Sequence, residues 1–439
     1  MRHNQKLLSV AVASASLCIH MSVAALELEE VMVTAQKRAE SANDIGMAIT
    51  TYSGDSLKEL GVFDTADLAA VTPGLVFSES GIGAPVYTLR GVGFNESSLQ
   101  ATGTVGIYND EIATPFPIMT KVPLMDIERV EVLKGPQGTL FGRNTTGGAV
   151  NYIANKPTED FEASVNVSYG RFETLDTEGF VSGALSDNLR ARLAVKNVTS
   201  NEGWQQSVTR NESLGEQDKR ALRLTLDGDL SDSFRIRLTA NYARDKSEPI
   251  APQAIGVLRQ RPSNTLVDGL LADNTVLITG DELRDTDWTQ GKNFEMDETF
   301  ENLSLSFDWD LSDTLTLTAL SSYAHYKDDG SLTPRDGLRG VPTEDALAAG
   351  FDFTSLMSPD KKALYDAGDF LENINYLTNA EIDASSLEIR LAGDQGFMTW
   401  IAGAYYSQDK VDSSSQQVDQ LTTNTNILAG PPGGLNFQF

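Results

Sequence analysis

The sequence predicts a small α+β domain followed by an antiparallel transmembrane β-barrel, which is incomplete and contributes about nine strands. Three features of the chain predict this fold. The N-terminal segment has the pattern of a secretory signal, the pattern of apolar and polar residues changes near Pro157, and the later strand connectors are unequal in length. Strands with one apolar face, joined by short turns at one rim and long loops at the other, are typical of outer-membrane barrels.

Residues 1–25 are predicted to be a secretory signal peptide. Arg2 and Lys6 precede an apolar run over residues 7–19, and small residues at 22–25 provide a cleavage point. The run has 13 residues, which is too few for a helix that crosses a hydrocarbon core of about 30 Å. We therefore expect a secreted chain without a helical membrane span.

The composition excludes several classes of protein. With 34 basic and 62 acidic residues the formal net charge is −28, so we expect no nucleic-acid partner. Cys18 and two of the three histidines lie in the predicted signal, which leaves no disulfide and no thiolate or multi-histidine metal site. His325 lies in a predicted strand without a nucleophile elbow nearby. We predict no enzyme, no cofactor and no metal site, and we interpret His325 as an ordinary surface or lumen residue.

The predicted domains follow the change in texture at Pro157. Residues 54–60 and 64–71 are predicted to be short helices, and strand-like pieces follow at 87–90, 105–108 and 130–133. This mixture predicts an α+β domain of about 110 residues. The predicted boundaries are 1–25 for the signal, 26–43 for a flexible N-terminal segment, 44–157 for the α+β domain and 158–439 for the barrel strands.

After Pro157 apolar and polar residues alternate with a period of two, which indicates strands with one apolar face. Tyr169, Tyr242 and Trp309 fit an aromatic girdle at the membrane interface. A soluble β-sandwich shows the same alternation and is the alternative. Nine strands are predicted, around residues 161–169, 178–185, 189–195, 222–226, 234–242, 303–309, 315–317, 387–391 and 400–406.

The connectors between these strands are of two kinds. Tight turns are predicted at 185–188, 230–233, 311–314 and 393–396, whereas long loops are predicted over 247–296 and 327–380. Bacterial single-chain barrels have even strand numbers, and lipid does not tolerate an open backbone edge. Nine strands therefore predict that the chain is the front part of a longer protein.

The segment 29–35 resembles the TonB box of the TonB-dependent outer-membrane receptors. A short β-prone run beside a polar stretch can add as a strand to the sheet edge of a partner. A generic linker is the alternative interpretation of this segment. The predicted TonB-box residues are Glu30, Val31, Met32, Val33, Thr34 and Ala35.

The α+β region resembles the plug domain of the same family more specifically. Residues 89–91, 105–108, 126–142 and 147–151 match the order and spacing of the family's plug motifs. A domain inside a polar lumen needs glycines for tight turns and charged residues that pair across a wetted interface. The predicted plug–barrel contacts are Arg90, Glu128, Arg129 and Glu131, with ion pairs inside the plug as the alternative for each.

The resemblance implies active uptake across the bacterial outer membrane, in whose lipid a complete member forms a plugged barrel of 22 strands. TonB, working with ExbB and ExbD, would grip the box and open the plug. The expected ligand is a ferric siderophore, with an oligosaccharide or a corrinoid as alternatives. A passive porin or adhesin barrel, or a remnant without transport function, are the alternatives to uptake. The predicted ligand contacts are Phe94, Asn95, Gln100, Phe116 and Met119.

Overall fold

The computed structural model describes residues 32–253 apart from 39, 63, 81–82, 97 and 209, and then residues 275–276, 283–288, 292–334, 341–342 and 375–418. The predicted signal peptide and the box residues Glu30 and Val31 lie outside these described residues. Within them, every helix is too short or too polar to cross a membrane. The chain divides into two compact units, residues 1–47 and residues 48–439.

The described part of the first unit is a two-stranded ribbon. Strands β1 (Met32–Val33) and β2 (Glu40–Ser41) pair antiparallel. The amide of Lys37 donates to the carbonyl oxygen of Thr34 at 2.8 Å and closes a turn between them. Val33 and Ala35 are buried, whereas Met32 is exposed.

Residues 48–154 form the predicted α+β domain. Its main sheet has the order β3-β8-β9-β6-β7, in which β6 and β9 are parallel, and β4 and β5 form a separate hairpin. A 3₁₀ turn at Pro117–Thr120 follows β7. The elements are β3 (Ile49–Ser53), α1 (Gly54–Glu59), α2 (Thr65–Val71), β4 (Leu75–Glu79), β5 (Pro85–Leu89), β6 (Val105–Asn109), β7 (Ile112–Thr114), β8 (Ile127–Lys134), α3 (Gly138–Phe141) and β9 (Gly148–Ala154).

Both predicted helices are confirmed, and their starts are set by side-chain caps. Asp64 and Asp67 form a capping box at the start of α2, which satisfies amides that the first helical turn leaves unpaired. The side chain of Ser53 accepts from the amide of Ser56 at the start of α1. Leu57 and Leu68 then point into a core built with the central strands of the sheet.

A second, much longer sheet contains all nine predicted barrel strands. It is antiparallel throughout, with the order β10-β11-β12-β15-β16-β19-β20-β22-β23. The remaining short strands belong to its connectors. In chain order the strands are β10 (Glu162–Tyr169), β11 (Leu175–Ser186), β12 (Leu189–Thr199), β13 (Gln205–Ser207), β14 (Ser213–Leu214), β15 (Asp218–Ser231), β16 (Phe234–Asp245), β17 (Thr275–Val276), β18 (Asp285–Thr286), β19 (Glu298–Ser312), β20 (Leu315–Pro334), β21 (Val341–Pro342), β22 (Asn375–Asp394) and β23 (Thr399–Val418).

The two faces of the long sheet differ as the alternation predicts. Leu193, Leu224, Leu303 and Tyr323 lie in one register row and are exposed on the outer face. The inner face packs against the α+β domain; there Ala194, for example, is buried beside Met125. An exposed row of large apolar side chains on the face away from a packed domain is the pattern of a lipid-facing surface.

The turns at one end of the sheet confirm the predicted tight connectors. Only two residues separate β11 from β12, β15 from β16, and β19 from β20.

The predicted loop 327–380 was too long, because residues 327–334 and 375–380 belong to β20 and β22. Their outward-facing residues, such as Lys327 and Glu381, are charged, so the apolar alternation stops although the strand pairing continues. The predicted division at residue 157 stays a prediction; β9 ends at Ala154 and β10 begins at Glu162.

Gly148 offers a test of the close packing in the α+β domain. It has φ of +147°, and a Cβ there would overlap the carbonyl oxygen of Leu133 and the side chain of Leu89. We expect Gly148→Ala to lower the free energy of unfolding of this domain by about 3 kcal/mol, because strain and overpacking add. Denaturant titration of the chain in detergent measures the change. Gly138→Ala is the matched control, since a Cβ at Gly138 meets nothing within 4 Å; equal midpoints for both variants would contradict this account.

Candidate functional site

The contact between the α+β domain and the inner face of the long sheet is built around one buried ion pair. Arg192 of β12 donates through Nε and a terminal nitrogen to the two carboxylate oxygens of Asp126, each at 2.6 Å. Both side chains are 5% exposed. The guanidinium also lies 3.6 Å from the ring centroid of Phe180. The forked geometry fixes direction as well as distance.

Three more side chains of the sheet hold the same short segment. Lys196 donates to the carbonyl oxygen of Leu124 at 3.1 Å, and Arg223 donates to that of Met125 at 2.9 Å. A carboxylate oxygen of Glu178 accepts from the amide of Asp126 at 2.9 Å. Residues 124–126 are therefore gripped through both backbone and side chain, and we call this set of contacts the Asp126 clamp.

The clamp is also joined to the core of the α+β domain. Asp126 has a left-handed backbone with φ of 49°. The amide of Asn155 donates to its carbonyl oxygen at 3.1 Å, and the Asn155 side chain donates to its carboxylate at 2.9 Å. Asn155 directly follows β9, so the clamp is connected through the backbone to a central strand of the main sheet.

Further polar contacts join the α+β domain to other strands of the long sheet. Lys121 pairs with Glu298 of β19 at 2.6 Å, and Glu111 pairs with Arg390 of β22 at 2.5 Å. Arg143 pairs with Asp409 of β23. These pairs are spread along the strands of the long sheet, from the ends that adjoin the long connectors to the ends that adjoin the tight turns.

The electrostatics keep Lys121 charged at this interface. Burial lowers the pKa of its ammonium group, but the nearby carboxylates, chiefly those of Glu298 and Asp245, outweigh burial and raise the pKa above its ordinary value. The Lys121 ammonium group therefore keeps its charge at neutral pH, and removing its partner would leave that charge at a poorly hydrated position.

Three of the four residues that the sequence predicted as plug–barrel contacts form ion pairs within β8. Arg129 donates to Glu131 at 2.9 Å and to Glu128, so these three residues of β8 pair with one another. This is the alternative of ion pairs inside the domain. Arg90 is exposed and has φ of 51°. A contact of these four residues with the long sheet remains a prediction.

The predicted ligand contacts fall into two groups. Phe94 and Asn95 are exposed on the loop between β5 and β6. Gln100, on the same loop, donates to the hydroxyl oxygen of Ser413 in β23 at 2.8 Å. Phe116 and Met119 are 5% and 2% exposed. The first three residues are thus exposed on one loop, and the other two are buried.

Phe116 and Met119 pack against the wall of the long sheet. Their apolar cluster includes residues of β20 and β22. The hydroxyls of Tyr87 and Thr120 are 2.6 Å apart, which ties the 3₁₀ turn to β5. The cluster residues from the sheet are Ala324, Tyr326, Ala380, Ile382 and Ala384.

Sequence reasoning missed Asp126, Lys121, Glu111 and Arg143 as interface residues. All four lie in the predicted plug region, but acidic and basic residues are frequent there. Asp126 had the best available signal, because it opens the motif at 126–142 and directly precedes a strand.

Comparison with known proteins agrees with this geometry. The family model described as "TonB-dependent Receptor Plug Domain" matches residues 41–149. The chain is 30% identical over 162 residues to the pesticin receptor of Yersinia pestis, which is 36% of this chain and 23% of that receptor. It is 27% identical over 163 residues to the ferripyoverdine receptor of Pseudomonas aeruginosa, 37% of this chain and 20% of the relative. An iron-regulated outer membrane virulence protein of Vibrio cholerae is 24% identical over 242 residues, covering 52% of this chain and 35% of the relative.

Solved structures share the fold. The ferripyoverdine receptor of the Pseudomonas aeruginosa outer membrane, bound to ferripyoverdine, matches with a TM-score of 0.64 and 16% identity over 88% of this chain and 45% of that chain. The ferric yersiniabactin uptake receptor of Yersinia pestis matches with a TM-score of 0.62 and 17% identity over 84% of this chain and 50% of that chain. The chain therefore spans half or less of the length of each of these relatives and structures.

An α+β domain held by ion pairs against the inner face of an outer-membrane β-sheet defines a plugged-barrel receptor. Residues 41–149 are the plug domain of the TonB-dependent receptors, and the nine long strands share the fold of outer-membrane receptors of this kind. Members of this family are transporters rather than enzymes. We accordingly call the α+β domain the plug and the long sheet the barrel sheet.

The Asp126 clamp predicts that one charge dominates the docking of the plug. We expect Asp126→Asn to destabilise the plug by about 3 kcal/mol, because it leaves the buried Arg192 without a full counter-charge. Asparagine retains the size and tolerates the left-handed backbone. Denaturant titration measures the change, with cleavage of the plug by trypsin as the readout of its unfolding. Glu159→Gln is the control, since Glu159 is 84% exposed and 3.5 Å from its partner Arg190, and such pairs contribute up to about 1 kcal/mol.

Tyr87 predicts an alkaline limit to plug stability. Burial raises the pKa of its phenol from 10.0 to about 12, although the hydrogen bond with Thr120 opposes the shift. Between these pH values the unfolded chain loses a proton that the folded plug keeps, so the free energy of unfolding falls as pH rises, by up to about 1.4 kcal/mol per pH unit. We expect Tyr87→Phe to make this fall less steep in denaturant titrations at rising pH. The difference in the free energy of unfolding between the two proteins at pH 8 is the reference. If this difference stays constant as the pH rises, Tyr87 does not cause the fall in stability.

Proposed function

We propose that the protein serves TonB-dependent active uptake of a ferric siderophore across the outer membrane. The plug family supports the energised mechanism. The relatives that match are named as a ferripyoverdine receptor and a pesticin receptor, and one structural neighbour is described as a ferric yersiniabactin uptake receptor. These names favour an iron chelate over an oligosaccharide or a corrinoid.

The observation that carries the proposal is the set of ion pairs and hydrogen bonds that joins the plug to the barrel sheet beside the apolar clusters. Ion pairs and hydrogen bonds can be replaced by water when a domain moves, whereas an apolar interface of similar size would lose the hydrophobic stabilisation of its buried area. The pairs of Lys121 with Glu298 and of Glu111 with Arg390 hold the plug in one position. Because both pairs are mostly buried, they would separate only when an external force moves the plug far enough for water to reach the charges.

We place the first ligand contact at the exposed loop that carries Phe94, Asn95 and Gln100. Gln100 already bonds Ser413 of β23, so a ligand that competes for this amide would alter a plug–barrel contact directly. Phe116 and Met119 remain predicted contacts, and a ligand would reach them only after their cluster with the barrel wall had opened. TonB, with ExbB and ExbD, would act on the box from the periplasm.

The TonB box provides the test of the energised mechanism. We expect Val33→Pro to reduce uptake of radioactive ferric pyoverdine to the level of cells that lack TonB, because proline removes a backbone amide that strand addition to a partner sheet requires. Val33→Ile is the matched control and should retain uptake, since it keeps the amide and the β-prone side chain. Binding of the chelate to whole cells at low temperature should be equal for both variants.

Three outcomes would contradict the proposal. Full uptake by the Val33→Pro variant, or uptake in cells without TonB, would favour a passive porin. If the cells take up a maltodextrin or cyanocobalamin in a TonB-dependent way but none of a panel of ferric hydroxamates and catecholates, the mechanism is retained and the ligand class is rejected. A lack of binding and uptake for every chelate would favour a barrel without transport function.

A further inference from the structure

A cluster of possible metal ligands lies on the outer face of the barrel sheet, away from the plug. His325 of β20 is directly opposite Asp383 of β22 in the strand register. Glu381 precedes Asp383 by two residues on the same strand, so both carboxylates face the same side of the sheet. One ligand atom from each of the three side chains lies within 4.8 Å of the others. Among the described residues this is a position where imidazole and carboxylates converge.

We propose that His325, Glu381 and Asp383 bind a divalent first-row transition-metal ion. One imidazole nitrogen with two carboxylate oxygens is a donor set that suits zinc and its neighbours in the series. Nδ1 of His325 lies 3.0 Å from Oδ1 of Asp383. Two ligand atoms about 2.1 Å from one ion are about 3.0–3.4 Å apart, so these two donors stand at a binding separation without movement of the strands.

A neighbouring hydroxyl orients one of the carboxylates. Tyr323 donates to Oδ1 of Asp383 at 2.7 Å, and Tyr323 is two residues before His325 on the same face of β20. Outer-sphere hydrogen bonds of this kind fix the direction of a ligand before the ion arrives. The side chains of His325 and Asp383 are 24% and 31% exposed, so the site is partly enclosed and still open to solutes.

The charges on the neighbouring strands favour a divalent cation. Glu301 of β19 lies opposite His325, and Lys410 and Asp412 of β23 lie opposite Asp383 and Glu381. Lys327 of β20 lies opposite Glu381 and pairs with Asp329 at 2.8 Å. With Asp329 included, five carboxylates face two lysines here, and this excess of negative charge attracts a cation.

The proposed site would join two strands whose chain connection is long. Forty residues separate the facing ends of β20 and β22, Pro334 and Asn375. Strand pairing already brings the two ends of that loop together, and an ion bound by both strands would add a second link between them. The ion would lie where the outward-facing residues change from apolar to charged. This role is independent of the proposed uptake mechanism, because the site lies on the opposite face of the sheet from the plug.

The test uses the full chain in detergent micelles, without an affinity tag and with His3 and His20 replaced by alanine, so that His325 is the single histidine. Competition between the protein and a chromophoric chelator for Zn²⁺ measures stoichiometry and affinity. We expect one Zn²⁺ per chain, and at least tenfold weaker binding for His325→Ala and for Asp383→Asn. Asp329→Asn is the control, because Asp329 lies on the same outer face but outside the cluster, and we expect less than a threefold change.

A second readout keeps the result independent of folding defects. Far-UV circular dichroism compares the β-sheet content of all variants. In the Cu²⁺-loaded protein, nitrogen hyperfine splitting in the electron paramagnetic resonance spectrum should be present and should disappear in the conservative variant His325→Gln. Absence of saturable binding, or binding of equal strength in the His325→Gln and Asp329→Asn variants, would overturn the proposal.

Discussion

The buried pair of Arg192 and Asp126 is the contact on which the position of the plug depends. Removing two charges from water is costly, and the mutual attraction compensates only when the geometry is close to ideal. Here the fork is bidentate, and the backbone around it is fixed by Lys196 and Arg223. Such a contact defines one docking register and penalises the alternatives, which a set of apolar contacts between smooth surfaces would do less sharply. The β12 strand and the plug segment before β8 are therefore positioned together.

The other plug–barrel pairs are graded in their exposure. Arg143 is 51% exposed where it meets Asp409, whereas Arg390 is 11% exposed beside Glu111. Exposed pairs are weakly stabilising and easily hydrated, so the pair at β22 contributes more to the position of the plug than the pair at β23.

The sequence predicts the elements of this fold well because each carries its own local signal. Alternation predicts all nine barrel strands, and capping residues predict α1 and α2. The ends of β20 and β22 escaped prediction because charged residues on the outer face hide the alternation. The interface pairs escaped it because the partners are far apart in the chain, by 66 residues for Asp126 and Arg192 and by 279 for Glu111 and Arg390. For the same reason the contact of His325 with Asp383 was not predicted, since the two residues are 58 residues apart.

The three longest strands, β20, β22 and β23, each contain 20 residues. At a rise of about 3.3 Å per residue each is about 66 Å long, or about 50 Å along the membrane normal at the tilt usual for such barrels, against an apolar band of about 25 Å. This part of the barrel wall therefore continues as a hydrogen-bonded sheet well beyond the lipid. In the uptake that we propose, an incoming solute would meet a stiff wall there, and the wall would lose little conformational entropy when it binds the solute.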